Sequence, residues 1–319
     1  MIGAKTAAMK RETTLLSPFR CAGVGLHSGE RVEIIVRPAP AGSGIRFSLP
    51  SPSGRVLVAP RPDNVVATVL ATTVGCDQAR VATVEHLLAA LAGMEVDNAL
   101  VEVHGGEIPI MDGSALRFAR LIEAAGVRQL DAPRRVARIC RPVTFEDGDR
   151  SIHAHPYPGL RIEYRIRFPH PSVGSQSYCF DATPQSFLRE IAPARTFGFA
   201  QDVERLRAAG LARGGSLANA VVFGDAGVLN PEGLRFEDEM VRHKILDFLG
   251  DMAVAPYRLC GRFVVERSGH EANNRFLRWL FAHAGQYLTL GETEDRRWFS
   301  PVQSPMSAPW GLHPSGATA

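Results

Sequence analysis

FEDEMVRHKILDFLGDM, residues 236–252, is the stretch from which the rest of the chain is best read. At 3.6 residues per turn, Val241, Ile245, Phe248 and Met252 share one side, while His243, Asp247 and Asp251 fall four apart along a polar stripe. The spacing predicts an amphipathic helix that carries an imidazole and a carboxylate one turn apart. Two such groups on one rigid element can reach a single divalent ion. They do not complete a catalytic metal site, so a third ligand must come from elsewhere.

Length and composition narrow the choices. A chain of 319 residues with 45% apolar and 22% charged residues can bury substantial cores and is expected to hold two domains. No apolar run approaches the roughly 18 residues of a membrane span. The 36 basic and 33 acidic residues are dispersed, which argues against nucleic acid as the main ligand. Cys21, Cys76, Cys140, Cys179 and Cys260 are odd in number, far apart and never in a CxxC pair. Neither a disulfide framework nor a zinc knuckle is signalled, and a reducing cytoplasm is expected. The N-terminal stretch lacks the apolar core of a secretory signal. No coiled-coil seam is visible, and a monomer is expected.

Upstream, VEIIV (32–36) and VLVA (56–59), separated by PAPAGSG, read as strands of an antiparallel sheet. VATVEHLLAALAG then changes period, with Val84, Leu87, Leu88 and Leu91 on one side, Thr83 as N-cap and Gly93 just past the end. NALVEVH returns to alternation, and LRFARLIEAAG is a second amphipathic helix ending at Gly126. DAPRR (131–135) breaks the pattern and is taken as the boundary between a first domain, 1–130, and a second, 131–300. In the second half RVARI, SIHAHP and LRIEYRIRF read as strands, and TPQSFLREIA, DVERLRAAG and residues 273–284 as helices. The expected fold is α+β, two domains of related architecture that each layer a sheet against helices, with the site between them. The tail, 301–319, is rich in Pro, Ser, Gly and Ala and is expected to lack order.

Ten histidines could supply the third ligand, and most are ordinary polar residues; His153, His155, His170, His283 and His313 are read so. His86 follows Glu85 at a helix start and has small Ala89, Ala90 and Gly93 nearby. Such a pair either offers a metal nitrogen and an adjacent proton acceptor or simply faces solvent; spacing alone leaves both open. His270 in SGHEANN follows a strand-like RFVVERS and is either a turn residue or one entering a cleft. Asp251, one turn beyond Asp247, could hold such an imidazole in its charged form.

The strings TVEHLLAALAGMEVDNALVEV, EIPIMDGSA, ARTFGF, GGSLANAVVF, NPEGLRFEDEMVRHKILDFLGD and SGHEANN, with GVGLHSG and RPAPAGSGI before them, resemble the zinc-dependent UDP-3-O-acyl-N-acetylglucosamine deacetylases of lipid A biosynthesis. The resemblance runs in order from about residue 10 to about 284. It implies a cytoplasmic zinc amidohydrolase with one zinc per chain, which removes the N-acetyl group from an acylated UDP-glucosamine to leave a free amine and acetate. His86, His243 and Asp247 would be the zinc ligands and Glu85 the general base. His270 would be a cation that steadies the oxyanion or protonates the amine, with Asp251 as its partner, and Thr196 would donate to the oxyanion. Lys244 and Phe197 are implied as substrate contacts, as are Leu26 and His27 from the first domain. Residues 194–222 would hold much of the acyl passage.

Two departures from the family pattern, Ala-Pro in MAVAPYRLC and Glu271-Ala272 in SGHEANN, bear on loop geometry near His270 and touch no implied ligand. Two other readings stand beside this one: a zinc hydrolase of a different N-acylated sugar nucleotide, and a non-catalytic carrier of sugar nucleotide or lipid.

Overall fold

The computed structural model describes residues 10–293 apart from 53 and 77, so the tail at 301–319 lies outside the described residues. The fold is α+β. In the first half, strands Phe19–Val24, Arg31–Pro38, Ala99–His104, Ile45–Ser51 and Gly54–Val58 lie side by side in that order. Strict alternation explains the seating of Arg31–Pro38: Val32, Ile34 and Val36 are buried, while Glu33, Ile35 and Arg37 are not. The sheet is not wholly antiparallel as expected, because Ala99–His104 runs parallel to Ile45–Ser51. A parallel neighbour needs a long crossover, and the chain between these two strands contains helix α1, Glu85–Gly93.

A seven-stranded sheet forms in the second half around Arg258–Glu266, which runs antiparallel to Arg150–His155 and parallel to Leu160–Arg167 and Arg135–Ile139. Helix α2, Leu116–Ala125, ends as expected at Gly126, whose φ of 74° lies in the left-handed region that glycine enters freely. Helix α3, Ala200–Ala208, lies beside a small sheet of Phe197–Phe199, Val221–Gly224 and Gly227–Val228. Helix α4, Glu239–Met252, and helix α5, His270–Ala282, complete the scaffold.

Residues 131–133 finish the strand Val127–Pro133, which pairs with Arg11–Leu15, and Arg135–Ile139 then enters the second sheet. Arg134 is buried and binds Asp97 at 2.8 Å, and Arg258 reaches the same carboxylate at 3.2 Å. Thr83 does not cap α1; Val84 occupies the cap position, and Gly93 is the last helical residue rather than the first beyond it. A Cβ on Gly93 would lie 2.4 Å from the Phe187 ring, so packing explains this glycine.

Of the 14 residues of α4, 12 are buried, including Glu239, His243, Asp247 and Asp251. The polar side faces the interior because α1 covers it, and α1 is itself buried on nearly every side. One continuous core joins Ile34 and Val36 of the first sheet, Leu87 and Leu88 of α1, Phe248 of α4 and Phe263 of the second sheet.

Helices α1 and α4 come into backbone contact at Gly250, where a Cβ would stand 2.1 Å from the Glu85 carbonyl oxygen. Glycine costs helix stability here, and the contact it permits outweighs that cost. Gly250→Ala is therefore expected to destabilise the protein by about 1–3 kcal/mol or more, despite alanine's better helix propensity. The check is a lowered urea midpoint at unchanged m-value; an unchanged or raised midpoint would refute the packing argument.

Candidate active site

The entry to α1 is strained. Thr83 has φ +59°, costly for a β-branched residue, of order 1–3 kcal/mol. Its hydroxyl donates to Glu107 at 2.9 Å, and the same buried carboxylate accepts from the His27 and Ser28 amides at 2.9 and 3.0 Å and the Ser28 hydroxyl at 2.7 Å. These donors hold the Glu107 carboxyl below its usual range against the opposing effect of burial. The tight turn brings Glu85 and His86, the first two residues of α1, against α4.

There His86, His243 and Asp247 converge, all buried, with one ligand atom from each lying within 4.8 Å of the others. Asp247 Oδ1 is 3.2 Å from His243 Nε2 and 3.6 Å from His86 Nε2. Ligands held about 2.1 Å from a tetrahedral ion lie about 3.4 Å from one another, so the spacing fits a single ion. His243 Nδ1 faces the Ala194 carbonyl at 3.1 Å, which can only accept. A neutral His243 therefore directs a bare Nε2 lone pair at a carboxylate oxygen, an arrangement that calls for a cation between them. Burial lowers the His243 pKa, which favours that neutral form. His86 lacks the analogous support: its Nδ1 is buried and has no hydrogen-bond partner among the described residues.

Two charged pairs flank this cluster. Lys244 Nζ lies 2.8 Å from Asp247 Oδ2. Burial works to raise the Asp247 carboxyl, yet positive charge beside it, on the His243 ring when protonated and on Lys244, holds it well below the ordinary carboxylate range. His270, the first residue of α5 rather than a turn after a strand, places Nδ1 2.8 Å from Asp251 Oδ2. Burial opposes its charge, but Asp251, then Glu85 and Asp247, push its pKa up to about 9. Glu85 is driven the other way, its carboxyl raised to about 7 mainly by burial, with His270 resisting. Glu85, Asp247 and Asp251 place three carboxylates against Lys244 and a cationic His270, and that surplus of negative charge also suits a bound cation.

These groups open on one cavity of ≈ 330 Å³, lined by Leu26, Glu85, His86, Thr196, Phe197, His243, Lys244, Asp247 and His270, with Arg150 and Arg267 at its side. Thr196 is set there by its amide on the Gly113 carbonyl, 2.7 Å, and by Val221 N on its own carbonyl, 2.8 Å. Gly113 is required: a Cβ there would meet the Asn219 carbonyl at 2.2 Å. Phe197 stands edge-on to His243 with centroids 6.3 Å apart. Asp251 lies behind His270. His27 is not part of the lining; its Nδ1 accepts from Ala212 N at 3.4 Å.

Sequence reasoning missed the groups that hold these side chains. Besides Glu107, they include Thr72 and Asn273 on Asp251, and a buried Arg195–Glu239 pair at 2.9 Å. Glu239 also accepts from the Arg195 and Arg235 amides, which ties the segment bearing Thr196 to the start of α4. The partners are 44 residues apart, and no local pattern joins them.

Comparison with known proteins bears on this geometry. Residues 12–282 match the family model described as UDP-3-O-acyl N-acetylglycosamine deacetylase. The chain is 54% identical over 277 residues to the UDP-3-O-acyl-N-acetylglucosamine deacetylase of Nitratidesulfovibrio vulgaris, covering 87% of this chain and 90% of that protein. It is 50% identical over 303 residues to the protein of the same name from Oleidesulfovibrio alaskensis, covering 93% and 99%. With the Acidithiobacillus ferrooxidans deacetylase the identity is 44% over 294 residues, covering 92% and 97%.

The buried ion pair gives a testable titration. In metal-free protein the His270 imidazole should titrate near 9, above a free histidine, so it keeps its proton at neutral pH. Asp251→Asn should bring the midpoint down sharply, because burial alone favours the neutral ring. Imidazole ¹⁵N shifts followed by NMR decide this, and a midpoint unmoved by the substitution would refute the assignment.

Proposed function

Since the chain belongs to the family of UDP-3-O-acyl N-acetylglycosamine deacetylases, we propose that it hydrolyses the N-acetyl group of a UDP-3-O-acyl-N-acetylglucosamine at the cavity between α1 and α4, with one zinc ion held by His86, His243 and Asp247. The observation that carries the reading is the convergence of these three buried ligands with Glu85 and His270 in a single cavity. Two imidazoles and a carboxylate form a donor set typical of hydrolytic zinc. When bound, the ion supplies a Lewis acid that polarises the amide carbonyl and makes water acidic near neutrality.

The chain's own residues do the rest. Glu85 accepts the proton of the attacking water, and a carboxyl poised near neutrality suits that task. Thr196 donates its hydroxyl to the carbonyl oxygen as negative charge builds there, and cationic His270 stabilises the same charge or gives its proton to the departing nitrogen. Water and amide become acetate and a free amine, with the proton taken at Glu85 balanced by the one delivered to nitrogen. Asp251 keeps His270 charged and oriented. Lys244, held by Asp247, shields that ligand and faces the substrate.

The mixed character of the cavity suits a mixed substrate. Phe197 packs against Phe168, Phe199 and Phe223 with centroids 5.3, 6.3 and 6.4 Å apart, which supports an apolar path for the acyl chain through residues 194–222. Arg150 and Arg267 supply positive charge for the diphosphate, and Leu26 joins the lining from the first half of the chain. The cytoplasm is the proposed location. Five free cysteines are compatible with it, and no helix among the described residues is long and apolar enough to cross a membrane.

Acetate release from the acylated UDP-sugar tests the reading. Glu85→Ala should lower kcat about 10²–10⁴-fold, and His243→Ala should abolish the single zinc found by elemental analysis. A folded, metal-replete sample that releases no acetate would sink the proposal. The pH profile of kcat/KM should fall on the acid side as Glu85 takes up a proton, and fall on the alkaline side as His270, whose proton Asp251 retains well above neutrality, finally loses it. His270→Ala should remove that alkaline limb.

A further inference from the structure

Thr72 lies just before strand Thr73–Cys76 and is 3% exposed. Its two donors reach two different carboxylates: the backbone N–H donates to Glu85 Oε2 at 2.9 Å, and the hydroxyl donates to Asp251 Oδ1 at 2.6 Å. Its carbonyl accepts from Val84 N at 3.2 Å, so the residue is bound to the start of α1 on both sides of its backbone. Asp251 receives its remaining donors at the other oxygen, from His270 Nδ1 and Asn273 Nδ2, each at 2.8 Å. Asn273 is oriented in turn by the Ser268 hydroxyl at 2.6 Å.

A carboxylate bonded at only one oxygen can swing about its Cβ–Cγ bond; one bonded at both cannot without losing a partner. Without the Thr72 hydroxyl, all the remaining donors sit on Oδ2, and Oδ1 becomes a buried acceptor with nothing to accept. The plane of Asp251 is then free to tilt, and the imidazole it orients tilts with it.

We propose that Thr72 is a positioning residue of the deacetylation, its hydroxyl fixing Asp251 and through it His270, while its amide fixes Glu85, so that the proton acceptor and the proton donor are registered to one another by a single residue. This rests on the roles given above to Glu85 and His270. The simpler alternative is that Thr72 only satisfies a buried carboxylate. That role would affect folding, but it would not make the effect of Thr72 depend on His270.

Thr72→Val, nearly isosteric, deletes only the hydroxyl, and Thr72→Ser retains it. In the zinc enzyme, kcat should fall about tenfold in the valine variant with KM within about twofold of wild type, a loss in keeping with small misplacements of a catalytic group; serine should restore kcat. In a His270→Ala background, Thr72→Val should cost nothing further. In metal-free protein the His270 imidazole resonances should move in the valine variant and return in the serine one. If Thr72→Val does not fold, Thr72→Ala deletes the same hydroxyl without setting a methyl group against Asp251 Oδ1 and should give the same split of kcat from KM. Wild-type kcat in Thr72→Val, or a loss that adds in full to that of His270→Ala with unmoved imidazole resonances, overturns the inference. Full activity of His270→Ala itself would instead defeat the assignment of the proton donor on which the inference stands.

Discussion

The site depends on the contact between two helices at a glycine. Because Gly250 offers no side chain, α4 lies directly on the backbone of Glu85, and a ligand from the first half of the chain can meet two from the second. Every other support serves to hold the side chains at that crossing. The strained turn at Thr83 is retained by Glu107, and the same carboxylate gathers the His27 and Ser28 amides. The segment carrying Thr196 is clamped to α4 by Arg195 and Glu239.

Electrostatics follows from that packing. Burying carboxylates is expensive unless each is paired, and here each has a distinct compensation. Asp247 has Lys244, Asp251 has His270 with Thr72 and Asn273, and Glu85, among the described residues, has the Thr72 amide and the opposing charge of His270. The least compensated of the three is the one whose pKa rises to about 7. Unequal pairing thus separates carboxylates of similar intrinsic acidity into an ion ligand, an orienting anion and a proton acceptor.

Much of the scaffold was legible from period and punctuation. The alternation of Val32, Ile34 and Val36, the stop of α2 at Gly126 and the four-residue spacing of His243, Asp247 and Asp251 are local features, and they carry over directly into the structure. What local pattern missed was set by distant partners. Thr83 has the chemistry of an N-cap, yet its hydroxyl serves Glu107, 24 residues on. Gly93 resembles a helix stop but makes room for Phe187. Thr72 and Asn273 gave no signal at all, because a hydroxyl or amide becomes informative only when the carboxylate it serves is known.

The wide separation of the site's parts along the chain has a consequence for biosynthesis. His270 lies 185 positions after Glu85 by subtraction, so at about 5–20 residues per second a ribosome needs roughly 10–40 s between making the first and the last of these groups. During that interval the turn at Thr83 and the carboxylates of Glu85 and Glu107 belong to a nascent segment whose covering helix does not yet exist. The first half must therefore remain hydrated along the face that α4 will occupy, and the docking of that helix, with three carboxylates leaving water together, is a late and costly step. An arrest in synthesis before residue 239 would leave an apolar α1 surface uncovered, and such half-made chains are natural clients for chaperones and proteases.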